Sequence, residues 1–252
     1  MNGTTAVITG GTRGIGRAVA ERFAENGATV VIGARDGGEV TETVGALETR
    51  LESATEGDGG NVSENESVSV PGTAAGVRTD VRDEYDVERL VETASRAGTS
   101  SGIDTVVAAA GVYHGDPGRT PIDQESYTRF DDHAGINGRG VFATIREAIP
   151  HLNDGARVLV PTGVVASEAK SGYGSYAVSK AVAEAVVRGF AADTEYTVGC
   201  LDPGQVATEL TDGAGRDPDD VAPMFVWAAT DAPEAELDGG VLGLREWKNA
   251  TR

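Results

Sequence analysis

The chain has 252 residues and a formal net charge of −19, from 40 acidic and 21 basic residues. This balance argues against nucleic acid or an anionic membrane as the main partner, because both are held by basic patches. A single cysteine, Cys200, rules out an internal disulfide, and no apolar run approaches the ~20 residues of a membrane span.

In chain order, residues 4–9 (TTAVIT) are a β-branched run that reads as a strand. A glycine-rich turn follows, then GIGRAVAERFAENG with helical periodicity, closed by Gly27. Residues 28–33 (ATVVIG) read as a second strand, 39–54 as a helix, 75–78 as a short third strand and 84–97 as a helix. Residues 104–110 (DTVVAAA) have the length and composition of a buried strand. A long helical stretch over 127–152 is expected to break near 135–140, where Gly135, Gly138 and Gly140 fall close together. A strand over 156–160, a helix over 176–194, a strand over 196–201, a helix over 219–230 and a short strand over 239–244 complete the pattern. Strands alternating with helices predict a parallel sheet covered on both faces, in one domain over 1–252. Residues 55–74 (TEGDGGNVSENESVSVPGTA), rich in Gly, Ser, Glu and Asn, read as an acidic flexible surface insertion. No basic and apolar leader opens the sequence, so the expected setting is the cytoplasm.

The turn Thr9-Gly10-Gly11-Thr12-Arg13-Gly14-Ile15-Gly16 lies between the first strand and the first helix. Glycines there let the backbone turn tightly and approach a pyrophosphate, whose charge the helix N-terminus attracts. TGGTRGIG resembles the TGxxxGxG signature of the short-chain dehydrogenase/reductase family, and the matching elements span nearly the whole chain in the right order. The resemblance implies a single-domain, doubly wound α/β Rossmann fold with about seven parallel strands. It also implies hydride transfer between NAD(P) and an alcohol or carbonyl, with Gly10, Thr12, Arg13, Gly14, Ile15 and Gly16 against the cofactor. Where an acidic residue would bind the ribose 2′-hydroxyl of NAD, at the end of the second strand, stand Ala34 and Arg35. The Arg35 guanidinium, with Arg13, suits a 2′-phosphate; the expected cofactor is NADP(H).

Asp80 and Val81 resemble the family's Asp-Val pair beside the adenine; equally, Asp80 or Asp83 reads as a helix N-cap. Ala108-Ala109-Ala110-Gly111 stands where the family has Asn-Asn-Ala-Gly, which places Ala109 and Gly111 near the cofactor ribose without the asparagine bonds. Tyr176-Ala177-Val178-Ser179-Lys180 carries the expected reaction, since i, i+4 spacing puts phenol and ammonium on one helix face. A tyrosine pKa near ~10 is too high for a base at neutral pH. A nearby ammonium and a cationic nicotinamide are expected to lower it, so that Tyr176 exchanges a proton with the substrate oxygen. The resemblance also makes Tyr176 and Lys180 contacts of the nicotinamide ribose, and Asn137 a helix-kinking residue that positions a relay water. Pro203-Gly204-Gln205-Val206-Ala207-Thr208 resembles the family's Pro-Gly loop, which implies Pro203, Gly204 and Val206 beside the nicotinamide and Thr208 on its carboxamide.

One family position departs. The serine thirteen residues before the tyrosine is Gly163 here. Thr162 replaces it if the strand end is shifted or bulged; on regular alternation it faces away. Ser167 and Ser171 lie further into the loop, and Pro161 interrupts the strand end. Two readings follow: an NADP(H)-dependent oxidoreductase using Tyr176, Lys180, Asn137 and Thr162, or a nucleotide-binding sensor or scaffold with weak or no dehydrogenase activity. The short, polar stretch 205–217 predicts an open pocket and a small or polar substrate. Ala181, Ala183, Ala185 and Val186 give a packable helix surface, so a homotetramer or homodimer is expected. His114, His133 and His151 form no metal-ligand pattern and read as loop or helix-surface residues; no metal is expected. Only three basic residues are lysines, Lys170, Lys180 and Lys248, and the acidic surface suits a halophile.

Overall fold

The computed structural model describes residues 1–57 and 72–252. Most of the 55–74 insertion lies outside them. Seven strands form one parallel sheet: β1 (Thr5–Thr9), β2 (Thr29–Ala34), β3 (Thr73–Arg78), β4 (Ile103–Ala108), β5 (Leu152–Pro161), β6 (Thr197–Asp202) and β7 (Val241–Gly243), in the order β3-β2-β1-β4-β5-β6-β7. The helices are α1 (Gly14–Glu25), α2 (Gly37–Gly57), α3 (Glu84–Ala97), α4 (Tyr127–His133), α5 (Gly140–Ala148), α6 (Gly174–Asp193), α7 (Pro218–Thr230), α8 (Glu234–Leu237) and α9 (Leu244–Ala250). None of them is long and apolar enough to cross a membrane, among the described residues.

The two-residue period of a strand sorts its side chains onto opposite faces. Ala6, Ile8, Val30, Ile32, Leu159 and Leu201 meet Val19 and Phe23 of α1, Leu47 of α2 and Phe225 of α7. The intervening Val7, Val31, Val106, Val158, Val160 and Cys200 meet Leu90 of α3, Ile145 of α5 and Val187 of α6. The sheet is thus buried on both faces, as parallel sheets require.

Strand order reverses between β1 and β4, which pair as Thr9↔Ala108 at their carboxyl ends. Ligands of open α/β sheets bind outside the carboxyl ends at such a switch point. The glycine turn follows β1, and Ala109 to Gly111 follow β4. Between α4 and α5 the helix widens into a π-helical turn, Ala134–Arg139, where the glycines predicted a break; π-turns are frequent at functional sites. Pro161 ends β5 beyond the last β4 pair, Val107↔Leu159, so its missing N–H opens no ladder bond there.

Candidate active site

The turn after β1 is built for close approach. Gly10 has φ +71°, and a Cβ on it would lie 2.8 Å from Ala110 Cα; one on Gly16 would lie 2.3 Å from Gly10 O. Glycine is therefore required at position 10, where the backbone of Ala109 and Ala110 fills the space a side chain would take. Thr9 ties this loop to the end of β1: its carbonyl accepts from Ala109 N at 3.2 Å and its hydroxyl from Ala110 N at 3.4 Å. The N-cap of α1, Arg13, makes no side-chain capping bond, so the first amides of α1 offer donors to an anion. Ile15 packs on the core behind the turn, and Gly14 lies against Thr208 from the far side of the crevice. These residues fit a dinucleotide's phosphates.

The expected phosphate clamp is engaged within the chain. Arg13 pairs with Glu39 through two nitrogens and with Glu209 at 2.6 Å, while Thr12 Oγ1 donates to Glu39 at 3.3 Å. The guanidinium holds the Glu39 carboxyl below its usual pKa, chiefly by hydrogen bonding. Arg35 is exposed at the end of β2. Asp80 accepts a two-pronged contact from Arg82, and Asp83, not Asp80, caps α3 by accepting from Tyr85 N and Asp86 N. Val81 buries its side chain with Val87 and Ile136, which leaves only its backbone for a ligand. Gly204 has φ +70° in a turn where its N–H donates to Asp202 Oδ1 at 2.8 Å; Pro203 and Val206 are buried on either side.

Tyr176 and Lys180 project from the first turns of α6. The Lys180 ammonium lies 5.8 Å from the Tyr176 ring centroid and donates to Pro161 O at 3.0 Å. Burial pushes the Tyr176 phenol up to about 12, with Tyr173 adding to the shift, and lowers the Lys180 pKa. The expected lowering rests on an ammonium and a cationic nicotinamide together; among the protein's own groups burial dominates and raises the phenol, while the ammonium is spent on a carbonyl. Asn137 is buried in the π-helical turn. Its Oδ1 accepts from Val112 N at 2.8 Å, and its Nδ2 donates to Val112 O and Ser179 Oγ, both at 2.9 Å.

Thr162 does not enter the site. Its hydroxyl donates to Glu184 Oε1 at 2.8 Å, and its N–H continues the β5–β6 ladder to Leu201 O. The strand runs on without a shift, so alternation turns Thr162 toward α6. Gly163 is extended (φ −170°, ψ 162°), and a Cβ there would meet nothing within 4 Å among the described residues.

Sequence reasoning missed several neighbours. His133 is fully buried rather than on a helix surface. Its ring lies 5.9 Å from Tyr113, 6.0 Å from Tyr176 and 5.1 Å from His114. Tyr113 packs edge-on against Tyr176 at 4.8 Å. One signal was available: His133 precedes Asn137 by four residues, hence shares its helix face.

The chain is similar in sequence and fold to known proteins. Residues 10–229 match the family model described as enoyl-(acyl carrier protein) reductase. NADPH-dependent aldehyde reductase 2 of Arabidopsis thaliana is 33% identical over 216 residues, 83% of this chain and 75% of the relative. A short-chain type dehydrogenase/reductase of Picea abies is 29% identical over 93% of this chain and 88% of its own length. The chain belongs to the short-chain dehydrogenase/reductase family. Among solved structures, a short-chain dehydrogenase of Burkholderia cenocepacia J2315 in complex with NADP has TM-score 0.77 and 25% identity, over 96% of both chains. A dehydrogenase/reductase of Sinorhizobium meliloti 1021 has TM-score 0.77 and 27% identity, over 96% of this chain and 94% of that one. For this member, membership gives an oxidoreductase.

Proposed function

We propose that this protein is an NADP(H)-dependent oxidoreductase in which Tyr176 exchanges a proton with the oxygen of a carbonyl or secondary alcohol. The observation that carries the reading is the Tyr176–Lys180 pair on α6, beside the glycine cradle at the switch point. NADP(H), when bound, supplies or accepts the hydride. Gly10, Gly14, Gly16 and the first amides of α1 hold its phosphates, Asp80 and Val81 border the adenine, and Ala109 and Gly111 border the ribose. Arg13 and Arg35 take the 2′-phosphate and favour NADP(H) over NAD(H). Pro203, Gly204, Val206 and Thr208 close the nicotinamide end. Lys180 anchors the ribose and, together with the cationic nicotinamide when it is bound, opposes the burial that raises the Tyr176 phenol, while Asn137 keeps the loop after β4 against α6.

The loop 205–217 supports a small or polar substrate. It folds back on itself, with Ala207 N donating to Arg216 O at 2.7 Å and Arg216 N to Gln205 O at 2.9 Å, and it presents little apolar surface. Half-exposed Phe142 and Val182, 42% and 40% accessible, support a homodimer or homotetramer through α5 and α6. The net charge of −19 supports a cytoplasm of high salt.

The test is a titration of NADPH and NADH in molar KCl, followed by a carbonyl panel with wild type and Tyr176→Phe. NADPH binding with turnover that Tyr176→Phe abolishes, while keeping NADPH affinity, is expected; retained turnover in that variant overturns the reading. One observation favours a second reading, a nucleotide binder with weak activity: Thr162 is turned away and Gly163 offers no hydroxyl. Tight NADPH binding without turnover across the panel selects it.

A further inference from the structure

His133 and Asn137 stand one helical turn apart and bridge the same two elements. Asn137 joins Val112 to Ser179 of α6. His133 joins His114 to Ser175 of α6: its Nε2 lies 2.9 Å from His114 N, and its Nδ1 lies 2.6 Å from Ser175 Oγ. The two rungs bracket Tyr113 on the loop and Tyr176 on the helix, whose rings meet at 4.8 Å.

We propose that His133 is a positioning residue for Tyr176, acting as a second rung beside Asn137, and that it holds this rung only as a neutral imidazole. The inference rests on the reading of Tyr176 as the acid/base. A backbone N–H can only donate, so His133 Nε2 must be the unprotonated nitrogen. Nδ1 then carries the hydrogen and donates to Ser175 Oγ. A second proton on Nε2 would point at the His114 N–H. The bond would be lost, and the loop that seats Tyr113 on Tyr176 would be freed.

The surroundings favour the neutral ring. Burial lowers the His133 pKa, and His114 and Arg129 act in the same direction, against the carboxylates Glu125 and Asp132. Tyr113 and Tyr176 face the ring without charge at neutral pH. Glu125 also accepts from Ser175 N, so α6 begins pinned at both the amide and the hydroxyl of the residue before Tyr176. Asn137 cannot titrate; of the two rungs only His133 responds to pH.

The experiment measures kcat/KM against pH for wild type, His133→Gln and Ser175→Ala, with NADPH affinity and near-ultraviolet circular dichroism on each, and follows the His114 amide by NMR through the same titration. In wild type, kcat/KM is expected to fall in acid with a midpoint below the ordinary imidazole value of 6.5, and the His114 amide to shift with the same midpoint. Glutamine offers a neutral oxygen to the His114 N–H, so His133→Gln should lose that acid limb. Ser175→Ala keeps the imidazole but removes its acceptor on α6. It should lower kcat by roughly tenfold to a hundredfold, as misplaced reacting groups do, with NADPH affinity unchanged. An acid limb that persists in a folded His133→Gln, or a Ser175→Ala variant with wild-type kcat, overturns the proposal. The two readings fail separately. Turnover retained in Tyr176→Phe sinks the acid/base role whatever the His114 amide does. A limb and an amide with different midpoints sink the role of His133 while Tyr176 stands.

Discussion

Thr162 donates its hydroxyl to Glu184 Oε1 across 2.8 Å, two turns along α6 from Tyr176. Glu184 is buried, with Arg188 3.9 Å away as its charge partner, so Thr162 satisfies an oxygen that water barely reaches. Losing such a donor leaves a buried acceptor unpaired, which costs about 1–3 kcal/mol. Thr162→Val should therefore lower the unfolding free energy by about that amount, while Thr162→Ser, which keeps the hydroxyl, should stay near wild type. Denaturant unfolding of both variants checks this. Equal stability of Thr162→Val and wild type would show that the bond contributes nothing.

Gly163, one residue further, has the opposite character. Its extended backbone suits any residue, and the direction of its missing Cβ is open. A serine there can present a hydroxyl to a substrate oxygen without displacing a neighbour. Removing a donor of this kind lowers turnover by about 10²–10³ in enzymes that use one, so, on the proposed reading of a carbonyl reductase, Gly163→Ser should raise kcat by at least tenfold. Its melting temperature should hold or rise slightly, since replacing glycine restricts the unfolded chain. A clashing site would instead show a lower melting temperature with no gain in kcat.

What was legible in the sequence was what neighbours in sequence decide. The glycine turn, the four-residue spacing of Tyr176 and Lys180, and the break near Gly135 to Gly140 all follow from local periodicity, and each stands where it was expected. The contacts that surround the candidate site are long-range. Arg13 meets Glu39 26 positions away and Glu209 196 away, and nothing in the composition of either segment announces that. Thr162 was half legible: strand alternation gave its direction, but its partner depended on which helix covers that face. His133 was misread because histidine is at home on surfaces; its burial follows from the offset of 42 that pairs 133 with 175 as it pairs 137 with 179.

The Arg13–Glu39 contact bears on cofactor choice. If Arg13 takes the 2′-phosphate, Glu39 competes for the same guanidinium. Glu39→Gln keeps the size and removes the charge, so NADPH should bind roughly two- to fivefold tighter, the range of an exposed ion pair, with little change for NADH. The gain should shrink in molar salt, where screening shortens to about 3 Å. Isothermal titration of both nucleotides at two KCl concentrations measures it. Equal gains for NADPH and NADH would place the 2′-phosphate away from Arg13.

Asp86 ties the end of β3 to α3 and carries a pH dependence of definite sign. Its carboxylate accepts from Asp80 N at 3.0 Å, Arg89 at 2.8 Å and Arg78 at 3.1 Å. The Asp80 amide is the largest cause of its lowered pKa; the two arginines add to it and burial opposes them. A folded pKa below the ordinary 3.8 means that the native state favours the charged form. The stabilisation is therefore complete above that ordinary value and is lost as pH falls through the folded one. Asp86→Asn should lower stability at neutral pH by about 1.5–3 kcal/mol, as for hydrogen bonds to a charged group. The gap to wild type should close in acid, once the wild-type carboxyl is itself protonated. If Asp80 and Val81 border the adenine, the same variant should also weaken NADPH binding, because Asp86 fixes the Asp80 amide. A stability gap that stays constant from neutral pH down into acid would mean that charge is not what Asp86 contributes.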